Sequence, residues 1–229
     1  MKEMFKNYPV TSFLLVMTII IFLTMQLLYI EQAESFQAIF SFGGMYGNYV
    51  MMFPNQLWRL ITPIFVHIGW EHFALNSITL FFLGRITEPL FGSIKFLILY
   101  LFSGIMGNVL AMVLTPNVIV AGASTSLFGL FAAVALVGHF GFNPYLKQLG
   151  QNYKLLIGIN LLFNLFMPGI SIVGHLGGAL GGSIVAIFLT TRVEGELFPK
   201  NQRVLAFVGY FLIIALLLFY AFGDFFSLF

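Results

Sequence analysis

The chain contains no cysteine, so disulfides, thiolate nucleophiles, zinc fingers and iron–sulfur clusters are excluded. Charge is nearly as scarce: 8% of the 229 residues are Asp, Glu, Lys or Arg, against ~25% in an ordinary soluble domain. A water-soluble globule is ruled out. Ten bases and eight acids leave a net +2 with no run of either sign, so nucleic acid is not an expected partner. Asp224 is the only aspartate, which excludes a paired-aspartate site, and no HExxH is present to hold a catalytic zinc. His67, Glu71 and His72 lie close in sequence, but their segment has neither that motif nor a clear helical pattern, and no metal site is expected.

What the chain does have is apolar surface, 60% of its residues being AVILMFWYC. A crossing of the bilayer takes about 20 residues, so the length accommodates seven spans and leaves no room for a separate soluble domain. Residues 1–10 precede a charge-free run, Thr11 to Ile30, too long for a signal-peptide core and read as a retained span. Glu31 to Leu60 mixes two acids, Gly43, Gly44, Gly47, Pro54 and aromatics, which suits a long loop lying partly in the membrane interface. Further spans are expected at 71–87, 95–115, 124–142, 153–168 and 170–191, with turns at Pro116–Asn117 and Pro168. The second begins with polar residues, which a water-filled cavity would permit. A charged linker, 192–203, leads to a seventh helix over 204–229.

Lysine and arginine in short loops favour the cytoplasmic side. Lys2 and Lys6 precede span 1, Arg85 and Lys95 lie between spans 2 and 3, Lys147 and Lys154 between 4 and 5, and Arg192, Lys200 and Arg203 between 6 and 7. Only Arg59 falls opposite. The amino terminus is therefore expected in the cytoplasm and the carboxyl terminus outside, in a bacterial cell membrane.

With that topology spans 2, 4 and 6 start at the outer face, and their first turns carry His72 and Asn76, Ser124, and His175. Polar groups inside a bilayer are costly, so each is a functional candidate. Ser124 stands in Ala121-Gly-Ala-Ser-Thr-Ser-Leu-Phe-Gly129, with its hydroxyl at the positive end of a helix dipole; the plainer alternative is an N-cap. Gly178 and Gly182 share a helical face with His175, and small residues let membrane helices approach closely. Gly129, Ala132 and Ala133 offer span 4 a matching face, which would set a base beside a nucleophile. The alternative is glycine packing with an incidental histidine. His72 and Asn76, four apart, point to one side and can donate to an oxyanion or stitch helices together.

Together these residues resemble the rhomboid family of intramembrane serine proteases. The resemblance runs from about Trp58 to Thr191: Trp58-Arg59 in the first loop, His72-xxx-Asn76, Glu88-xxx-Gly92 after Gly84, Gly122-x-Ser124, and His175-xx-Gly178-xxx-Gly182. It implies an all-α membrane protein, a polytopic helical bundle with a six-helix core and one additional C-terminal transmembrane helix. It also implies that Ser124 is the nucleophile, that His175 is its general base, and that His72, Asn76 and the Ser124 backbone N–H form an oxyanion hole. Gly122, Gly129, Gly178 and Gly182 would pack the helices around them. Substrates would be membrane-anchored proteins, with no cofactor needed. A pseudoprotease that binds membrane clients without cutting them, and a small helical transporter, are the alternatives. The presence of both Ser124 and His175 speaks against the first, and the uncharged span cores speak against the second.

Two positions depart from the family pattern. Thr125 stands where many members have glycine and could crowd the oxyanion hole; Phe128 stands where some have tyrosine, which removes a hydroxyl but keeps a ring to stack beneath the histidine. Ser126 competes as nucleophile, but only Ser124 has a glycine two residues before it and Gly129 five after. His139 is read as interfacial, and Asn108, Asn160 and Asn164 as makers of interhelical hydrogen bonds.

Overall fold

The computed structural model describes residues 2–166 and 171–227; the predicted turn at Pro168 and the start of a span at Ile170 lie outside them. In chain order the helices are α1 (Lys2–Asn7), α2 (Pro9–Tyr29), α3 (Phe36–Ser41), α4 (Gly47–Met52), α5 (Gly69–Phe91), α6 (Ser93–Leu114), α7 (Ser124–Phe140), α8 (Pro144–Asn164), α9 (Ile172–Phe188) and α10 (Lys200–Ser227). Two short strands, β1 (Met45–Tyr46) and β2 (Ile119–Val120), pair antiparallel. Proline opens α2 at a position where its missing N–H costs nothing. Helix α8 starts ahead of the span predicted over 153–168 because Asn143 caps it, its side-chain oxygen accepting from the N–H of Tyr145 at 2.9 Å and of Leu146 at 3.3 Å.

Pro9–Gln32, Ser93–Leu114 and Lys200–Gly223 are long and apolar enough to cross a membrane, and α7 and α9 are shorter apolar helices. Helix α6 is the most buried of the long three and packs against α9, α7, α10, α5 and α2. Its Phe96, Leu99, Tyr100 and Met106 meet Leu130, Val134 and Val137 of α7 and Val185 of α9 in the main core. At the outside of the bundle α10 leaves Leu205, Leu212 and Phe219 exposed, a surface that water disfavours and lipid tails accept.

Two buried charges brace this arrangement, each held, among the described residues, by neutral donors or acceptors and not by a counter-ion. Glu88, 2% exposed, accepts at Oε2 from the Thr11 N–H (2.8 Å) and hydroxyl (2.7 Å), and at Oε1 from the Val10 N–H (3.0 Å) and Ser93 hydroxyl (2.7 Å). The carboxylate thus closes the first turn of α2, where the helix dipole favours an anion, and ties it to the junction of α5 and α6. Arg59 orders the first loop: Nη1 donates to the carbonyls of Phe40 (2.6 Å) and Gly44 (2.9 Å), Nε donates to Gln56 Oε1 (2.9 Å), and the guanidinium lies over the Phe40 ring at 3.8 Å. The segment predicted as a loop is therefore a folded cap containing α3 and α4. Asn108 of α6 fastens it by donating to the Leu60 carbonyl at 2.9 Å.

Replacing Glu88 by alanine leaves the two N–H groups and two hydroxyls it serves without their acceptor. The expected loss is about 3 kcal/mol of stability, read as a lowered thermal midpoint in detergent. An unchanged midpoint would show that α2 does not depend on this clasp.

Candidate active site

The site is set by how closely α7 and α9 approach. A Cβ on Gly178 would fall on the Thr125 carbonyl, and one on Gly182 would fall on the backbone of Gly129. Gly129 in turn lies against Ser103 of α6 and the Gly178 carbonyl. Of the small face expected on span 4, Gly129 meets Gly182, while Gly178 lies against the backbone of Thr125. A second small face, Gly177 and Gly181, packs α9 onto Gly107 and Met106 of α6.

This contact brings His175 Nε2 to 2.8 Å from Ser124 Oγ. Ser124 is the first helical residue of α7; the N-cap is Ala123, which offers no side-chain bond, so the capping alternative for Ser124 does not apply. The unpaired N–H groups of that first turn, with the positive end of the dipole, face the same region. Phe128 stacks on the imidazole, centroids 4.2 Å apart and planes 11° from parallel. On the other edge of the ring, Nδ1 lies 2.6 Å from Nδ2 of Asn164, at the end of α8.

The opposite wall comes from the start of α5. Gly122 has φ +126°, a conformation glycine adopts readily, and a Cβ there would sit 2.6 Å from His72 Cε1 and 2.7 Å from His72 Nε2. The His72 ring can lie against the turn before Ser124 only because residue 122 has no side chain. His72 Nδ1 accepts from the Ile68 N–H at 3.4 Å, which leaves Nε2 as the protonated nitrogen. Asn76 donates one amide proton to the His72 carbonyl at 2.8 Å and keeps the other. A cavity of about 170 Å³ joins these groups, lined by His72, Asn76, Ser124, Phe128, Asn164 and His175 among others.

His67 is buried beneath this wall and its Nε2 accepts from the Ala123 N–H at 3.2 Å, while Pro63 O accepts from Gly122 N–H at 2.8 Å. Burial pushes the His67 imidazole down to about 3, so it remains a neutral acceptor. Its partner is a backbone amide, not a metal, and among the described residues no three His, Asp or Glu side chains gather as metal ligands. Neither His67 nor Asn164 stands out in the sequence as a site residue, because their partners come from elements 56 and 11 residues away. Trp58 and Arg59 lie in the cap, away from the cavity lining.

Thr125 is not among the residues lining the cavity. Its side chain is buried between α6 and α9, the methyl lying 3.1 Å from where a Cβ on Gly174 would be and 3.0 Å from one on Gly107. A helix turns successive side chains by about 100°, so Ser124 faces the cavity while Thr125 faces the interhelical seam. Ser126 also points away, its hydroxyl directed at Gly104 of α6.

Residues 54–192 match the Rhomboid domain. The chain belongs to the rhomboid family and is an integral membrane protein with a helical bundle fold. It is 38% identical over 135 residues to Rhomboid protease GluP of Bacillus subtilis, covering 59% of this chain and 26% of that protein. It is 32% identical over 161 residues to Rhomboid-like protease 3 of Toxoplasma gondii (69% of this chain, 60% of that one). It is also 32% identical over 142 residues to RHOMBOID-like protein 2 of Arabidopsis thaliana (61% and 44%). The chain thus spans a quarter to three fifths of the length of these relatives.

The position of Thr125 between α6 and α9 sets the consequence of replacing it with glycine. Thr125→Gly empties the space between α6 and α9 and is expected to cost about 2 kcal/mol of stability, with no gain in activity per folded molecule. Thermal unfolding and turnover of the same preparation check this; a more active, equally stable variant would put Thr125 at the cavity.

Proposed function

We propose that this chain is a serine protease that hydrolyses peptide bonds in or near transmembrane segments of membrane-anchored proteins, within the lipid bilayer. The observation that carries this reading is the 2.8 Å approach of His175 Nε2 to Ser124 Oγ at an uncapped helix N-terminus. Membership of the rhomboid family supports it. Ser124 Oγ attacks the scissile carbonyl carbon as its proton passes to His175 Nε2; the carbonyl electron pair moves onto oxygen, where His72 Nε2–H, Asn76 and the Ser124 N–H stabilise it. Collapse expels the amine, which takes the proton from Nε2. Water then repeats the sequence on the acyl-enzyme and restores Ser124. No cofactor takes part in these steps.

In this reading residues 11–191 form a six-span core and 204–229 a seventh span, with the amino terminus cytoplasmic and the cavity facing outward. The polar start of α5, with Glu71, His72 and Asn76, forms the wettable wall through which water enters. A substrate helix must unwind locally to present its peptide bond, because in helix form the carbonyl is already paired.

The test is cleavage of a single-pass substrate in detergent or vesicles. Ser124→Ala and His175→Ala are each expected to lower turnover by about four orders of magnitude while the protein stays folded. Ser126→Ala is expected to remain active, and EDTA to have no effect. Activity retained in Ser124→Ala, or lost in EDTA and restored by zinc, would overturn the assignment. Substrate capture by wild-type protein without cleavage would favour a client-binding pseudoprotease.

A further inference from the structure

An imidazole that is to accept the Ser124 proton at Nε2 must carry its own proton on Nδ1. That proton needs an acceptor, because a buried N–H left unpaired is costly. The His175 ring is buried, and the polar group at its Nδ1 edge is the side-chain amide of Asn164, 2.6 Å away and itself 8% exposed. The residues lining the cavity include no carboxylate.

The two ends of a primary amide are nearly equal in size, so a half-turn of Asn164 exchanges Nδ2 for Oδ1 at the same place. The exchange decides the tautomer. With Nδ2 facing the ring, as it stands, Nδ1 accepts, the histidine proton is on Nε2, and His175 donates to Ser124 Oγ; the base is occupied. With Oδ1 facing the ring, Nδ1–H donates to Asn164 and the Nε2 lone pair receives the Ser124 hydroxyl. We propose that Asn164 is the positioning residue of His175, selecting through Oδ1 the tautomer that can deprotonate Ser124.

This inference rests on the reading of Ser124 and His175 as nucleophile and base. The proton balance leaves Asn164 unchanged: the Ser124 proton moves to Nε2 and then to the leaving amine nitrogen, while Nδ1–H stays on His175, bonded to Oδ1. The amide also suits its surroundings. A carboxylate in its place would have to be ionised inside a bilayer-embedded cavity, at a desolvation cost a neutral acceptor avoids.

The experiment uses the full chain with 15N-labelled histidine in detergent, the His175 signals being assigned by their loss in His175→Ala. Wild-type His175 is expected to be predominantly Nδ1–H, and Asn164→Leu to shift it to Nε2–H. The same variant is expected to lose kcat about a hundredfold or more with KM nearly unchanged, and Asn164→Asp, which keeps an acceptor oxygen in place at the cost of desolvating a carboxylate, to recover part of that loss. A purely structural Asn164 would move the thermal midpoint but neither the tautomer nor the split between kcat and KM. Wild-type His175 protonated on Nε2, an unchanged tautomer in a folded Asn164→Leu, or an Asp variant no better than Leu would each overturn the proposal. Should Asn164→Leu fail to fold, the wild-type tautomer and the Asp variant still decide. Activity retained in Ser124→Ala would remove Ser124 as the nucleophile, the reading on which this inference rests, and that failure is distinguishable because the tautomer measurement does not involve turnover.

Discussion

Where Gly178 and Gly182 of α9 face Thr125 and Gly129 of α7, nothing larger than a hydrogen fits between the two backbones. Lipid tails are as apolar as leucine, so there is no hydrophobic drive to pair helices in a membrane; close packing of small residues takes its place. The consequence reaches beyond the pairing itself. Ser124 opens α7 and His175 lies in the first turn of α9, so a fixed distance between the helices fixes the distance between Oγ and Nε2. Widening the seam by one methyl would separate a hydroxyl and a ring that now hydrogen-bond. The contacts of Gly177 and Gly107, and of Gly181 and Met106, hold α9 to α6 in the same way, so the histidine is braced from two sides.

The buried charges follow a related economy. Glu88 and Arg59 are nearly inaccessible, yet among the described residues neither has a counter-ion; the ion pair found there is between Arg203 and the exposed Glu196. A buried pair would desolvate two ions, whereas a helix start or a set of converging carbonyls supplies partial charge already fixed in place. Glu88 acts where α2, α5 and α6 meet, and Arg59 acts on the cap that leads through Asn108 to α6. Both therefore restrain α6, the element against which α7 and α9 are packed.

Much of this was legible in the sequence, for reasons that separate what was from what was not. The glycine spacing after His175, the start of α7 at Ser124 and the shared side of His72 and Asn76 are periodic features, and helical geometry converts spacing into direction. The cap was not legible: Arg59 gathers the carbonyls of Phe40 and Gly44, and a backbone acceptor has no sequence signature. The pairing of Met45 with Val120, which leads the chain into the turn before Ser124, is too short to register as a strand. The direction of Thr125 is not legible from its neighbour, since one step along a helix is enough to turn a side chain from the cavity into the seam. Asn164 could be read as a helix-bonding residue but not assigned a partner, since that depends on where the end of α8 meets the start of α9.

The cavity that results has histidines, amides and hydroxyls, and no resident carboxylate among its lining residues. In the proposed reaction two charges appear together, an oxyanion on the substrate and an imidazolium at His175, and a low-dielectric site must lower the energy of both at once. Helices α5, α7 and α9 all present their starts to the cavity, through His72, Ser124 and His175, and three positive dipole ends favour the oxyanion. The same ends disfavour the imidazolium. Its compensation has to come from the other side of the ring, where the Phe128 face lies 4.2 Å away and the Asn164 amide meets Nδ1 at 2.6 Å. An aromatic face and an amide oxygen both attract a cation without being charged in the resting state. Separated charge is thus stabilised when it forms, while the site at rest keeps no ion inside the membrane.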